Sequence, residues 1–162
     1  MARTGGTPAT EALARARVAF TLHPYEHDPG VASYGLEAAE ALGVDPDRVF
    51  KTLVVDVGTS SPELAVGIVP VVSRLDLKAI ATALGAKRAV MADPRTAART
   101  SGYVVGGISP LGQRTRLPTV VDESAVLFDT ILVSAGKRGL DVELAADDLA
   151  RLLDATYAGI AR

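Results

Sequence analysis

The sequence contains no cysteine and no tryptophan, and its only histidines are His23 and His27. Without cysteine the chain has no disulfide, no thiolate nucleophile of its own and no sulfur ligand for a metal. Aromatic residues make up only 4% of the chain, so few side chains are available to stack on nucleobases. These absences argue against a disulfide-stapled protein, a cysteine enzyme and a platform that reads RNA sequence.

A surplus of positive charge is also missing, because the formal net charge is −2. Such a chain has no general electrostatic attraction to nucleic acid, so any contact with nucleic acid must be local. No apolar stretch approaches the length that spans a bilayer, and the first residues lack the pattern of a secretory signal. We therefore expect a cytoplasmic protein with no membrane partner.

A chain of 162 residues is long enough for one core and short for two. We expect residues 1–6, which are polar and glycine-rich, to form a disordered leader and residues 7–162 to form a single domain. Cap and turn residues such as Thr7-Pro8, Ser33, Gly43, Gly85 and Asp93-Pro94 delimit helices. The predicted helices cover 8–18, 33–42, 75–84, 93–102 and 145–153, and the predicted strands cover 20–23, 48–57, 64–72, 88–91, 119–122, 130–133 and 140–144.

The strands over 48–57 and 64–72 should form an antiparallel hairpin at the centre of a sheet, because only a short turn separates them. A turn is predicted over 134–139, between two later strands. The order of the elements indicates an α+β fold, with a mixed central sheet flanked by helices.

Lys51 lies inside the apolar run at 48–57. Lysine is seldom buried without a partner, because removing an ammonium group from water is costly. Lys51 is therefore either a strand-end residue whose head reaches water or a functional residue.

Regular periodicity disappears from Gly102 to Pro118, where the chain is apolar but rich in glycine. Residues 107–114 have the glycine spacing of a phosphate-binding P-loop, but Gln113 and Arg114 replace its Lys and its Ser or Thr. An ATPase is therefore rejected. The glycines indicate either close backbone approach to a ligand or a tight turn packed on the sheet.

Other polar residues allow weaker hypotheses. The spacing of His23 and His27 suits a metal only on a helix, and Pro24 argues against a helix there. Alternation along 140–144 places Asp141 and Glu143 on one face, where such carboxylates are usually solvated. Lys137-Arg138 could bind a phosphate or simply occupy a turn, and Ser134 belongs to no recognisable Ser-His-Asp pattern.

Five stretches together resemble the YbaK family of tRNA-editing deacylases. They are Tyr25-Glu26-His27-Asp28-Pro29, Val49-Phe50-Lys51-Thr52-Leu53, Ala92-Asp93-Pro94, Gly102 to Gly112, and Ser134 to Leu144. The resemblance covers Thr7 to Arg162. It implies a partly curled mixed sheet and a freestanding relative of the editing domain that is inserted in bacterial prolyl-tRNA synthetases.

That resemblance implies hydrolysis, in trans and without metal or cofactor, of tRNA(Pro) that has been mischarged with cysteine. The implied partners are the acceptor end of the mischarged tRNA and, transiently, prolyl-tRNA synthetase, with no role for DNA. Lys51 is implied as the catalytic residue. The implied substrate-binding residues are Tyr25, Tyr34, Thr52, Gly106, Ser134 and Asp141. Tyr34 stands where the family has Phe, and Ala135 stands where Gly is usual.

The resemblance also implies a reaction route in which the thiol of the charged cysteine attacks its own ester. A deacylase for Ala-tRNA(Pro) or another aminoacyl-tRNA that uses water, and a non-catalytic regulator that binds tRNA or nucleotide, remain open as alternatives. Any basic rim for the tRNA would come from Arg88, Arg95, Arg99, Arg114, Arg116, Lys137 and Arg138.

Overall fold

Most helices begin at the residues that the sequence marks, but the helices predicted over 8–18 and 75–84 are shorter and cover 8–16 and 77–83. The computed structural model describes residues 6–30 and 34–162. Thr7 forms a capping box with Thr10 and Pro8 follows it, which fixes the start of the first helix, and Asp93 caps the fourth helix. The predicted cap Ser33 and most of the predicted leader lie outside the described residues. The α-helices in this part of the chain are α1 Pro8–Ala16, α2 Tyr34–Leu42, α3 Leu77–Ala83, α4 Pro94–Ser101 and α5 Ala146–Leu153.

The described strands form two sheets. They are β1 Thr21–Pro24, β2 Phe50–Asp56, β3 Leu64–Pro70, β4 Val90–Met91, β5 Thr119–Asp122, β6 Ile131–Lys137, β7 Leu140–Leu144 and β8 Thr156–Ala158. The larger sheet has the order β4-β2-β3-β5-β8 and the smaller has the order β1-β7-β6. A parallel bridge between Val49 and Leu132 joins the two sheets.

The larger sheet is mixed. Strands β2 and β3 form the predicted antiparallel hairpin at its centre, whereas β3 pairs with β5, and β5 with β8, in parallel. The predicted α+β class with a mixed sheet is confirmed, and the mixed sheet is accompanied by a smaller antiparallel one.

Two predicted details of the strands are wrong. Strand β6 does not end at residue 133 but continues to Lys137, with an irregularity in its pairing between Ser134 and Lys137. Strand β8 was not predicted at all, since it has only three residues and its pairing with β5 is parallel and therefore non-local.

The hairpin of β2 and β3 separates two hydrophobic clusters. Phe50 and Val54 pack into the first cluster, whereas Val55 and Val69 pack into the second, beneath α3. This division follows from the alternation of side chains along a strand. No helix in the described ranges is long and apolar enough to cross a membrane.

Candidate active site

A cavity of about 310 Å³ opens where the two sheets separate. Its size is at the low end of the range for small-molecule sites, about 300–1,000 Å³. Strand β2 forms one wall, and the other walls come from the chain after β1, the start of α2, the glycine-rich loop and the β6–β7 hairpin. All seven residues singled out from the sequence line this one cavity: Tyr25, Tyr34, Lys51, Thr52, Gly106, Ser134 and Asp141. Their roles in binding and catalysis remain predictions.

The cavity lies along an edge of β2 that lacks a neighbouring strand. The amide of Val71 donates to the carbonyl of Val49 at 2.8 Å, so the backbone groups of Val49 face β3. Backbone groups alternate between the two edges of a strand, so those of Lys51 and Leu53 also face β3, whereas those of Thr52 face the opposite edge. On that edge β4 pairs only with Val55 and Asp56. The peptide groups of Thr52 are therefore available to a ligand.

The side chain of Thr52 adds to this unused hydrogen-bonding capacity. Its Oγ1 is buried and has no hydrogen-bond partner among the described residues. Most buried hydroxyls in native proteins are paired, and an unpaired one in a cavity points to a partner supplied from outside the chain.

Lys51 and Thr52 are neighbours on β2, so their side chains leave opposite faces of the strand. Lys51 is on the same face of β2 as Leu53 and Val55. Lys51 nevertheless lines the cavity, together with Thr52 from the other face. Burial lowers the pKa of Lys51, and the nearby charge of Arg74 lowers it further. Among the described residues, no carboxylate forms a salt bridge with Lys51. Lys51 is thus half-buried and unneutralised, which fits the functional reading better than that of a strand-end lysine.

Asp141 lies on β7 and is only 6% exposed, so the solvated position expected from alternation is wrong. Glu143, two residues further on, keeps partial contact with water. The two carboxylates differ in their surroundings, because Asp141 lies in the cavity wall and Glu143 does not. Burial raises the pKa of Asp141 to about 6, opposed by the weaker effect of His23, its register partner on β1.

Tyr25 and Ser134 accompany Asp141 in the cavity wall. Ser134 is the direct cross-strand partner of Asp141, and its Oγ accepts a hydrogen bond from the amide of Gly136 at 3.2 Å. The amide of Tyr25 donates to the carbonyl of Gly139 at 2.9 Å, which fastens the loop after β1 to the β6–β7 hairpin. Burial, and then the charge of Asp141, raise the pKa of the Tyr25 hydroxyl to about 12.

The glycine-rich loop approaches the cavity as a tight turn. The amide of Gly107 donates to the carbonyl of Val104 at 2.9 Å, and Gly106 has a φ of +89°. A Cβ atom on Gly106 would lie 2.7 Å from the ring of Tyr34, so only glycine fits. The predicted tight turn is therefore present and its backbone borders the cavity, whereas close approach to a ligand stays a prediction.

The two histidines lie outside the cavity wall. His23 bonds to Glu143 at 2.7 Å, and Arg48 bonds to the same carboxylate at 2.9 Å. His27 bonds to Glu37 at 2.9 Å. Among residues 6–30 and 34–162, no group of three His, Cys, Asp or Glu residues could hold a metal ion.

None of the candidate basic residues lines the cavity itself, and Lys51 is the only cation among the lining residues that the structure describes. The sequence did not point to the apolar part of the lining, which includes Met91 and Val105 at the exposed mouth. The available signal in the sequence was the apolar pair at 104–105 within a glycine-rich, aperiodic segment.

The cavity of this mixed-sheet α+β domain thus combines one cation, one buried carboxylate and backbone groups at an unpaired strand edge within a mostly apolar lining. The profile of the family described as "Aminoacyl-tRNA editing domain" matches residues 28–152. The chain belongs to this family, which confirms the family, activity class and enzyme class predicted from the sequence: the protein is an aminoacyl-tRNA deacylase.

Individual relatives agree with this assignment. A protein of Enterococcus faecalis, provisionally named Cys-tRNA(Pro)/Cys-tRNA(Cys) deacylase EbsC, is 40% identical over 122 residues, which are 75% of this chain and 73% of that protein. A solved structure provisionally titled as a trans-editing enzyme for prolyl-tRNA synthetase has a TM-score of 0.81 at 22% identity and covers 96% of this chain and 95% of its own. The structure of the hypothetical protein APE2540 has a TM-score of 0.84 at 20% identity over 96% of this chain and 99% of its own. The two solved structures show that the fold is shared.

Proposed function

We propose that this protein acts in trans on tRNA mischarged with cysteine, with tRNA(Pro) as the main substrate, in the cytoplasm where tRNA is charged. The name of the Enterococcus faecalis relative supports this substrate, because 40% identity extends over three quarters of this chain. A cavity of about 310 Å³ also suits a small aminoacyl group.

The mechanism rests on one observation: the described cavity wall contains no catalytic nucleophile hydrogen-bonded to a general base. The wall contains Ser134 and Asp141 but no histidine, and the chain contains no cysteine. A serine hydroxyl needs a hydrogen bond to a base to become a good nucleophile, and among the described residues no hydrogen bond joins Ser134 Oγ to Asp141. The attacking group therefore comes from the substrate or from water.

We propose that the substrate supplies the nucleophile. The cysteinyl thiol has a pKa near 8.5, so a few per cent is thiolate at neutral pH. Its sulfur attacks the ester carbonyl carbon, a C–S bond forms, and the C–O bond to the terminal ribose breaks. The electron pair leaves with the ribose oxygen, which takes up the proton lost by the thiol. The released four-membered thiolactone then reacts with water to give free cysteine.

The residues of the cavity are assigned roles that this route requires. Lys51 holds the terminal phosphate or ribose, and the Gly106 amide stabilises the carbonyl oxygen as negative charge develops on it. Asp141 is a buried carboxylate that forms no salt bridge among the described residues, so we assign it to the α-ammonium group of the substrate. Positioning by these groups replaces a protein nucleophile.

The test is a comparison of tRNA(Pro) charged with cysteine, serine, alanine or S-methylcysteine. Rapid release is expected for cysteine alone, because serine and alanine fit the cavity but lack a thiolate, and methylation removes the nucleophile. Comparable release of alanine would refute the thiol route.

Release of alanine would instead support attack by water. One observation favours that second candidate, namely that the pKa of Asp141 is raised to about 6, close to what a general base at neutral pH needs.

A further inference from the structure

The turn that carries Gly106 exists in one of two alternative geometries. Its residues are Val104 to Gly107, closed by the hydrogen bond from the Gly107 amide to the Val104 carbonyl. Gly106 at the third position has a positive φ, whereas Val105 at the second position does not. This combination defines a type II turn. In a type I turn the peptide group between the second and third residues would be flipped by about half a turn.

Arg138 holds the peptide group that distinguishes the two geometries. Its Nε donates to the carbonyl of Val105 at 3.0 Å, and Nη2 donates to the same oxygen. The central carbon of the guanidinium group lies over the ring of Tyr34, 4.8 Å from its centroid. Arg138 comes from the turn between β6 and β7, so this contact joins segments that are 33 residues apart.

The carbonyl of Val105 and the amide of Gly106 belong to one trans peptide group, so they point in opposite directions. Arg138 does not line the cavity, whereas Val105 and Gly106 do. We propose that Arg138 is a positioning residue for deacylation: by holding the Val105 carbonyl, it directs the Gly106 amide into the cavity, toward the carbonyl oxygen of the substrate. This inference rests on the proposed function, in which that amide stabilises developing negative charge.

The planar guanidinium is needed because it makes two kinds of contact at once. Its Nε and Nη2 donate two hydrogen bonds to one oxygen while its central carbon lies over the Tyr34 ring, and an ammonium group lacks this fixed fork of donors. Tyr34 is itself braced, since its ring lies 5.7 Å from the ring of His27, and His27 bonds to Glu37 at the start of α2. The ring of Tyr34 thus provides the surface against which Arg138 is held.

The experiment measures single-turnover release of cysteine from Cys-tRNA(Pro) by the whole protein and its variants Arg138→Lys and Arg138→Ala. Loss of one donor to an oxyanion typically lowers the rate about 100- to 1,000-fold. In the Arg138 variants the turn should sample both geometries, so their rate at saturating substrate should fall about 10- to 100-fold. The concentration for half-saturation should change little. Guanidinium chloride at a non-denaturing concentration should partly restore Arg138→Ala, whereas ammonium chloride at equal ionic strength should not.

Arg151→Lys provides the matched control, because Arg151 is an exposed arginine paired with Asp148 on α5. It should keep the wild-type rate. An unchanged saturating rate in Arg138→Lys would overturn the proposal. So would a weaker, less salt-dependent affinity for tRNA at an unchanged rate, because Arg138 would then bind a phosphate.

Nuclear magnetic resonance separates this inference from the proposed function. In a type II turn the ψ of about +120° at the second residue brings the Hα of Val105 close to the Gly106 amide proton. A strong Overhauser effect between them in the wild type, weakened in Arg138→Lys, supports the positioning role even if no aminoacyl-tRNA is cleaved. An unchanged effect in the variant refutes it.

Discussion

Replacement of Asp141 by asparagine should stabilise the protein and inactivate it. The carboxyl group is 6% exposed and has a pKa of about 6 instead of its usual 3.8. At about 1.4 kcal/mol per pKa unit, this difference corresponds to about 3 kcal/mol of stability lost when the group is ionised. Asparagine keeps the shape without the charge, so we expect the free energy of unfolding to rise by about 2–3 kcal/mol near neutral pH.

The sign of the pH dependence follows from the direction of the pKa change. Because the folded state holds the proton more tightly than the unfolded state does, the penalty is absent below the unfolded pKa of 3.8 and complete above the folded pKa of about 6. The gain in Asp141→Asn should therefore be large at about pH 8 and small at about pH 4. Urea unfolding followed by circular dichroism measures it.

Glu143 on the same strand provides the matched control with the opposite sign. Hydrogen bonds from Thr130 and His23, together with Arg48, hold the pKa of Glu143 below its usual value. The stability that this carboxylate contributes is present above its unfolded pKa and is lost as the pH falls. Glu143→Gln should therefore destabilise the protein at about pH 8 and less so in acid. If Asp141→Asn destabilised the protein equally at both pH values, the Asp141 carboxyl would contribute to the stability of the fold instead of lowering it.

Three further predictions concern the same cavity and its substrate. Lys51→Ala and Lys51→Arg should both abolish deacylation with unchanged circular dichroism, because neither supplies a compact ammonium group; near wild-type turnover would make Lys51 structural. Thr52→Val should raise stability by about 1 kcal/mol in urea unfolding and lower kcat/KM, since it removes a buried hydroxyl that only a ligand can pair; full activity would contradict this. Binding to uncharged tRNA should be weak and strongly salt-dependent, with prolyl-tRNA synthetase lowering KM; tight binding insensitive to salt would rule this out.

Local chemistry in the sequence predicts most element boundaries, because caps and breakers act within a few residues. Thr7-Pro8 and Asp93-Pro94 begin helices where expected, and Gly102 ends α4 in a left-handed conformation. Strand β8 and the extension of β6 depend on pairing with distant segments. No local signal encodes such pairing, so both were missed.

The site was predicted unevenly for a related reason. Residue chemistry alone drew attention to Lys51 and to the glycine-rich loop, because a cation in an apolar run and an aperiodic apolar loop are both locally anomalous. The remaining site residues depended on the family resemblance. Alternation along β7 identified the face of Asp141 correctly but not what covers it, and the contact between Arg138 and Val105 could not be anticipated from positions 33 residues apart.

The gap between the two sheets explains why these features occur together. In the part of the chain that the structure describes, the larger sheet leaves part of one β2 edge unpaired beyond the two-residue strand β4, and the Val49–Leu132 bridge joins the smaller sheet to it. That interval contains the free peptide groups of Thr52, its unpartnered hydroxyl, and the buried Asp141. The unpartnered hydroxyl and the buried carboxylate cost folding free energy by two different mechanisms, namely an unmade hydrogen bond and a desolvated charge. Because both lie in one cavity, we expect a ligand with hydrogen-bonding groups and a positive charge to satisfy them. The charged end of an aminoacyl ester, with its carbonyl, hydroxyl and ammonium groups, has this combination.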